Sequence, residues 1–159
     1  MLILGIDEAG RGPVIGPMVM AGVVVDEKDH AKLHELGARD SKTLSPAQRE
    51  RLFNDIISTV MRYKIVVVSP ADIDAAVGGK GINLNWLEAN HAVEIINDLA
   101  PGRVFLDCPS PNIPAFTAYI KERLKWPDQV DLVCAHHADR DYPSVSAASI
   151  LAKVTRDEH

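Results

Sequence analysis

The chain has 159 residues, 47% apolar and 25% charged, which is ordinary for a soluble globular protein and enough for one domain with its own core. With 17 Lys and Arg against 22 Asp and Glu the formal net charge is −5, which excludes a global basic footprint for nucleic acid. Four carboxylates gathered in one site would account for most of that charge, so a phosphate-backbone ligand stays open. No apolar run is long enough to span a bilayer, and the N-terminus lacks a signal-peptide layout. Cys108 and Cys134 do not make a disulfide framework; both sit in apolar runs and read as buried free thiols, pointing to the cytoplasm.

In chain order, Met1 to Ile6 predicts a buried strand that ends in two adjacent acids, Asp7 and Glu8. The glycine-rich connection Gly10-Arg11-Gly12-Pro13 leads to a second, valine-rich strand over Met18 to Val25, paired antiparallel with the first. Asp26 to Arg39 carries Leu33 and Leu36 at helical spacing and predicts a short surface helix. A polar loop, Asp40 to Leu44, precedes a helix over Pro46 to Arg62, started by Ser45 as cap, Pro46 at the first position and Gln48 closing a capping box. Lys64 to Val68 is a third strand, and Ser69-Pro70-Ala71-Asp72 opens a shorter helix. After a break at Gly78 to Gly81, a long helix covers Leu84 to Leu99, with Trp86, Leu87, Val93, Ile96 and Leu99 inward and Pro101-Gly102 as its stop. Val104 to Leu106 is a fourth strand ending on Asp107. A proline-marked loop precedes a helix from Ala115 to Leu124. Val130 to Ala135 is a fifth strand running into His136-His137-Ala138-Asp139. Tyr142-Pro143 interrupts, and Ser144 to Asp157 reads as a helix rich in small residues, suited to close approach by a ligand or, with equal weight, to tight packing on a sheet. This order predicts an α/β fold with a mixed sheet.

Three of the five predicted strands run into carboxylates: Asp7 with Glu8, Asp107, and Asp139. Ligand sites of α/β sheets gather at the carboxyl ends of parallel strands, so adjacency of strands one, four and five would bring these acids together. Clustered carboxylates cannot all stay ionised unaided, and divalent cations resolve the repulsion. All-oxygen donors suit Mg²⁺ or Mn²⁺ rather than zinc, and such a cluster typically holds two ions about 4 Å apart that clamp a phosphoryl group for attack by water. Adjacent strand residues point to opposite faces, so Glu8 shares a site with Asp7 only where the strand already turns at Glu8; a solvated strand-end acid is as good a reading. Gly10, Gly12 and Gly16 do not have dinucleotide spacing, and Gly78 to Gly81 is not a P-loop. The better reading of Gly10-Arg11-Gly12 is close backbone approach to a substrate with Arg11 as a fork for phosphate. Lys42 is a phosphate contact or, more commonly for such a residue, a solvated lysine. His136 and His137 diverge in a strand and read as strand-end or solvent groups.

Gly5 to Pro13 (GIDEAGRGP), Asp40-Ser41-Lys42, Asp107 after an apolar strand, and Ala138 to Pro143 (ADRDYP) leading into Ser146 to Lys153 (SAASILAK) resemble ribonuclease HII, the type 2 ribonuclease H, in its archaeal form, over the whole chain. The resemblance implies a ribonuclease H-like mixed five-stranded sheet flanked by helices over residues 1–159. It implies metal-binding and catalytic roles for Asp7, Glu8, Asp107 and Asp139, with Asp139 preferred to Asp141 on its spacing to Tyr142-Pro143. Gly10, Arg11 and Gly12 stand where the family senses the ribose 2′-hydroxyl, the group that tells RNA from DNA, and Lys42 stands at a phosphate-contacting position. The implied reaction is hydrolysis on the 5′ side of a ribonucleotide, by a monomer, in RNA/DNA hybrids or ribonucleotide-containing duplex DNA. The family continues past the position of His159 with a helical segment holding a tyrosine and basic residues, so this chain is expected to be a shortened form. Two other readings follow from the same residues: an inactive module that binds metal and nucleic acid, and another metal nuclease on the same fold, in which the Gly-Arg-Gly turn has no purpose.

Overall fold

The first strand decides the layering. In the computed structural model, which describes residues 1–10, 16–36, 44–79 and 83–158, β1 (Leu2–Ala9) alternates between two apolar layers: Ile3 joins one buried cluster, Leu4 and Ile6 the other. β1 pairs antiparallel with β2 (Met18–Asp26), and β2 antiparallel with β3 (Arg62–Val68). On its other side β1 pairs parallel with β4 (Arg103–Asp107), and β4 parallel with β5 (Asp131–Ala135). The sheet order is therefore β3-β2-β1-β4-β5, the expected mixed five-stranded sheet.

Helices cover both faces. On one lie α1 (His30–Glu35), α2 (Pro46–Thr59) and α7 (Pro143–Asp157), which contribute Leu33, Leu52, Ile56, Ala147, Ala148 and Leu151 to the cluster around Ile3. On the other, α4 (Leu84–Leu99) and α5 (Ile113–Lys121) pack Leu87, Ile95, Ile96, Phe116 and Ile120 against Leu4 and Ile6. α3 (Pro70–Gly79) precedes α4, and a one-turn helix, α6 (Ala138–Asp141), precedes α7.

Local signals placed most of these boundaries. Ser45 accepts from the Gln48 N–H at 3.2 Å while the Gln48 side chain accepts from the Ser45 N–H at 2.8 Å, a complete capping box for α2. Asn83 and Asn112 cap α4 and α5 with a single bond each, accepting from the Trp86 and Ala115 N–H at 3.1 Å. Three expectations need correcting. The helix expected over Pro46 to Arg62 stops at Thr59, because the Met61 N–H donates to the Val24 carbonyl at 2.8 Å and Arg62 has joined the sheet. Met61, which that helix would have included, lies beyond its end and is exposed. β1 runs on past Ile6 to Ala9, and Pro114, read as loop, lies inside the first turn of α5. Of the polar loop, Asp40 to Thr43 lie outside the described residues, as do Lys80 and Gly81 of the glycine break.

The small-residue helix is a sheet-packing helix. Every residue from Ser144 to Ala152 is buried. Its N-cap position, Tyr142, makes no side-chain cap. His30 supplies the missing acceptor: the Ser144 N–H donates to His30 Nε2 at 3.1 Å, and Ser144 Oγ lies 3.0 Å from the same nitrogen. Burial holds the His30 imidazole below its ordinary value of 6.5. The neutral ring is the form that caps, so the stability it adds is present above the ordinary histidine range and is lost as pH falls through and below it. His30→Ala is expected to cost about 1 kcal/mol at neutral pH. In a urea melt that difference should shrink under mildly acidic conditions.

Candidate active site

Two acids arrive on adjacent strands. Ile6 of β1 lies opposite Leu106 of β4 in the parallel ladder, and Asp7 and Asp107 are the next residue on each. They leave the sheet at one level and on one face. The third arrives by a route that differs from the strand end expected for it. β5 stops at Ala135, the chain turns through His136 and His137, and Asp139 sits in the first turn of α6. His137 takes a left-handed backbone, φ 57° and ψ 35°, which costs a non-glycine residue about 1–2 kcal/mol. In return the backbone N–H groups of His137 and Ala138 both donate to the Asp107 carboxylate, and α6 folds back over β4. Both histidine side chains are exposed and belong to a turn rather than a strand; His136 Nδ1 lies 3.2 Å from the Cys108 carbonyl.

One oxygen from each of Asp7, Asp107 and Asp139 lies within 4.8 Å of the other two. Asp7 is only 4% exposed. Burial first, then the negative charges of Glu8 and Asp107, hold its carboxyl well above the usual carboxylate range, and Asp139 adds to this. The Glu8 N–H, donating to Asp7 Oδ1 at 2.8 Å, pulls the other way. Asp107 is also raised, by burial and then by Asp139, against the two N–H groups it accepts. Mutually repelling oxygens from three carboxylates are the donor set a hard divalent cation takes, so the residues fit a metal such as Mg²⁺ or Mn²⁺.

Glu8 behaves differently. β1 is still regular there, with Asp7 opposite Ala21 and Glu8 opposite Met20, so the two side chains leave opposite faces. The turn begins only after Ala9, and Glu8 lies outside the group of three close oxygens while its charge acts on Asp7. Asp141 is exposed, 3.6 Å from Arg140, and also outside that group. Asp139→Asn is expected to weaken Mn²⁺ binding about tenfold or more in a titration, and Asp141→Asn to leave it within about twofold; the reverse order would move the ligand role to Asp141. Gly10 is described, at φ +86°. Arg11, Gly12 and Lys42, the other expected substrate-binding residues, lie outside the described residues.

Residue spacing did not reveal what holds the acids in place. The rings of His30 and Phe105 stack at 5.9 Å, and those of Phe105 and Tyr142 at 4.0 Å. Phe105 is two residues before Asp107 and Tyr142 three after Asp139, so the stack ties the supports of both acids together. Tyr142-Pro143 showed as an interruption and as part of the family motif, neither of which signals a ring stack, and His30 carried no signal. The thiols of Cys108 and Cys134 are free and buried; burial pushes Cys134 up to about 11.

The ribonuclease HII family model matches residues 4–159. The chain belongs to the ribonuclease HII family. It is 46% identical to ribonuclease HII of Pyrococcus furiosus over 160 residues, covering 99% of this chain and 69% of that protein. It superposes on the crystal structure of ribonuclease H2 from Pyrococcus horikoshii OT3 with a TM-score of 0.90 at 41% identity, covering 99% of this chain and 73% of the other. The structure of Bst-RNase HIII in complex with Mn²⁺ is similar at a TM-score of 0.80 and 26% identity, covering 99% of this chain and 52% of that one. Membership of the ribonuclease HII family and the fold support ribonuclease H activity, that of a divalent-metal-dependent endoribonuclease whose substrates are nucleic acids. Among the described residues no helix is long and apolar enough to cross a membrane.

Proposed function

We propose that this chain hydrolyses the phosphodiester on the 5′ side of a ribonucleotide, in RNA/DNA hybrids or in duplex DNA with embedded ribonucleotides, leaving 3′-hydroxyl and 5′-phosphate ends. The observation that carries this reading is the convergence of Asp7, Asp107 and Asp139, distant in sequence, to within 4.8 Å at their oxygens. Asp7, Glu8, Asp107 and Asp139 are assigned to hold two Mg²⁺ or Mn²⁺ ions. When bound, such ions stabilise charge on the phosphoryl group and make a bound water a ready nucleophile at neutral pH.

The protein's own contribution is preorganisation. Asp7 is fixed by burial and by the Glu8 N–H, and Asp107 by two backbone N–H groups, so neither carboxylate has to be gathered at the moment of reaction. In this proposal Asp139, on α6, orients the attacking water. Glu8 completes the acid set from the other face of the strand end. The glycine-rich turn that starts at Gly10 approaches the sugar, and discriminates by bonding a 2′-hydroxyl that a deoxyribose lacks. The buried free thiols are in keeping with a reducing cytoplasm.

Three duplexes test this in Mg²⁺ or Mn²⁺: an RNA/DNA hybrid, DNA with one ribonucleotide, and all-DNA. Cleavage 5′ of the ribonucleotide, metal-dependent and absent from all-DNA, is expected. Cutting of all-DNA at a comparable rate would replace this reading with that of another metal nuclease, and metal binding without any turnover would leave a binding module.

A further inference from the structure

One side chain touches both described ends of the glycine-rich connection. Arg156, in the last turn of α7, donates from Nε to the Pro17 carbonyl at 3.0 Å. Its Nε and Cδ occupy the space a Cβ on Gly10 would fill, and its Nη2 lies 3.2 Å from where a Cβ on Gly16 would stand. Gly10 and Gly16 have φ of +86° and +145°, a backbone that side chains rarely adopt. These two glycines therefore answer a second demand besides backbone freedom: they leave room for a guanidinium between the ends of the turn.

We infer that Arg156 is a positioning residue for ribose recognition, fixing Gly10 and Gly16-Pro17, the two described ends of the glycine-rich turn, relative to each other. This rests on the reading of that turn as the ribose sensor. The side chain is anchored at a fixed depth, because the acceptor is a backbone carbonyl next to a proline ring and the stem is confined by Gly10. α7 is a firm base for it, buried from Ser144 to Ala152 and packed on β1 and β2. Losing this brace lets the two ends of the turn move independently of the acids on β1 and β4. The metal site, held by other contacts, stays assembled.

A simpler role must be separated from this one. Arg156, Arg49 and Lys153 line an open cavity of about 580 Å³ that also borders Glu8 and Gly10, so Arg156 would serve equally well as a cation for a nucleic-acid phosphate. That role needs charge and acts on ribonucleotide and deoxyribonucleotide strands alike. Positioning needs the Nε donor and acts on the difference between them. Gln and Lys divide these requirements. The Gln amide nitrogen stands at the depth of Arg Nε and carries no charge, whereas Lys keeps the charge and loses the donor at that depth.

The measurement is the ratio of affinities of the full 159-residue chain for a duplex with one ribonucleotide and for the same duplex in all-DNA. Ca²⁺ replaces Mg²⁺, and fluorescence anisotropy is the readout. R156A is expected to lower the ratio about tenfold, with Mn²⁺ binding to the acids unchanged; R156Q restores most of it and R156K does not. R156A with the wild-type ratio overturns the assignment, as does restoration by R156K rather than R156Q. Where R156A fails to fold, R156Q and R156K compared directly decide by the same order. A wild-type ratio of one overturns the reading of the turn, and the role of Arg156 with it.

Discussion

Asp7→Asn is expected to abolish cleavage and, in the same protein, to raise the stability of the metal-free fold. The loss should reach about three orders of magnitude or more in kcat, because metal-assisted charge stabilisation is worth several kcal/mol and Asp7 is the most buried of the three converging acids. The stability gain follows from the electrostatics. Without metal the Asp7 carboxyl is held well above its usual range by burial and by the charges of Glu8, Asp107 and Asp139. The folded protein therefore keeps a proton that the unfolded chain releases. Stability is fully present below the ordinary carboxylate range and is lost as pH rises through the raised value. Each tenfold suppression of acidity corresponds to about 1.4 kcal/mol. The amide is neutral at every pH, and its oxygen can still accept the Glu8 N–H. Thermal melts in chelator at about pH 8 should place the variant above wild type, by about 2–4 °C for each kcal/mol, and the gap should close towards about pH 4. Adding Mn²⁺ should reverse the order, since a ligand stabilises only the protein that binds it. Wild-type turnover by the variant, or a lower melting point in chelator, would contradict the account.

What the sequence made legible was mostly local. The capping box of α2 announced its helix because a cap and the N–H it accepts from are neighbours in the chain. The strands were legible as apolar runs, and the convergence of Asp7 and Asp107 needed only that β1 and β4 be neighbours. The placement of Asp139 was not legible, because it depends on a left-handed residue at His137, and a histidine signals that backbone far more weakly than a glycine. The partners of the site were hidden for a similar reason. His30 meets Ser144 and Phe105 meets Tyr142 across long stretches of chain, and no periodicity encodes a contact between α1 and the start of α7. The two readings of the small-residue helix were equal on composition alone; burial of its whole first half against the sheet decides for packing.

That packing makes Gly5→Ala the substitution with the largest expected effect on stability. Gly5 lies between Val23 of β2 and Phe105 of β4, in the centre of the sheet, and α7 starts directly above it. A Cβ there would overlap the Ser144 carbonyl carbon and the Val145 nitrogen, and would stand 2.5 Å from the Ser144 carbonyl oxygen. All of these are backbone atoms, so no side chain can swing aside. Gly5 has no positive φ, so alanine carries no conformational penalty in the strand, and the cost is steric alone. Relief requires α7 to lift off β1, which breaks the His30 contact to Ser144 and moves α6, joined to α7 through Tyr142, away from Asp7. The expected loss is about 3 kcal/mol or more, a lowering of the melting point by roughly 6–12 °C, together with weaker Mn²⁺ binding. Gly22 in β2 is the control. A Cβ there meets Ile95 Cγ2 at 2.6 Å and Leu4 Cδ1 at 3.0 Å, side-chain atoms rather than backbone, so a small shift of α4 relieves the contact away from the acids, and Gly22→Ala should cost about 1–2 kcal/mol without touching metal affinity. Equal losses in the two variants would mean that α7 rides on the sheet through its side chains, and that the close backbone approach at Gly5 is not what places Asp139 over Asp7 and Asp107.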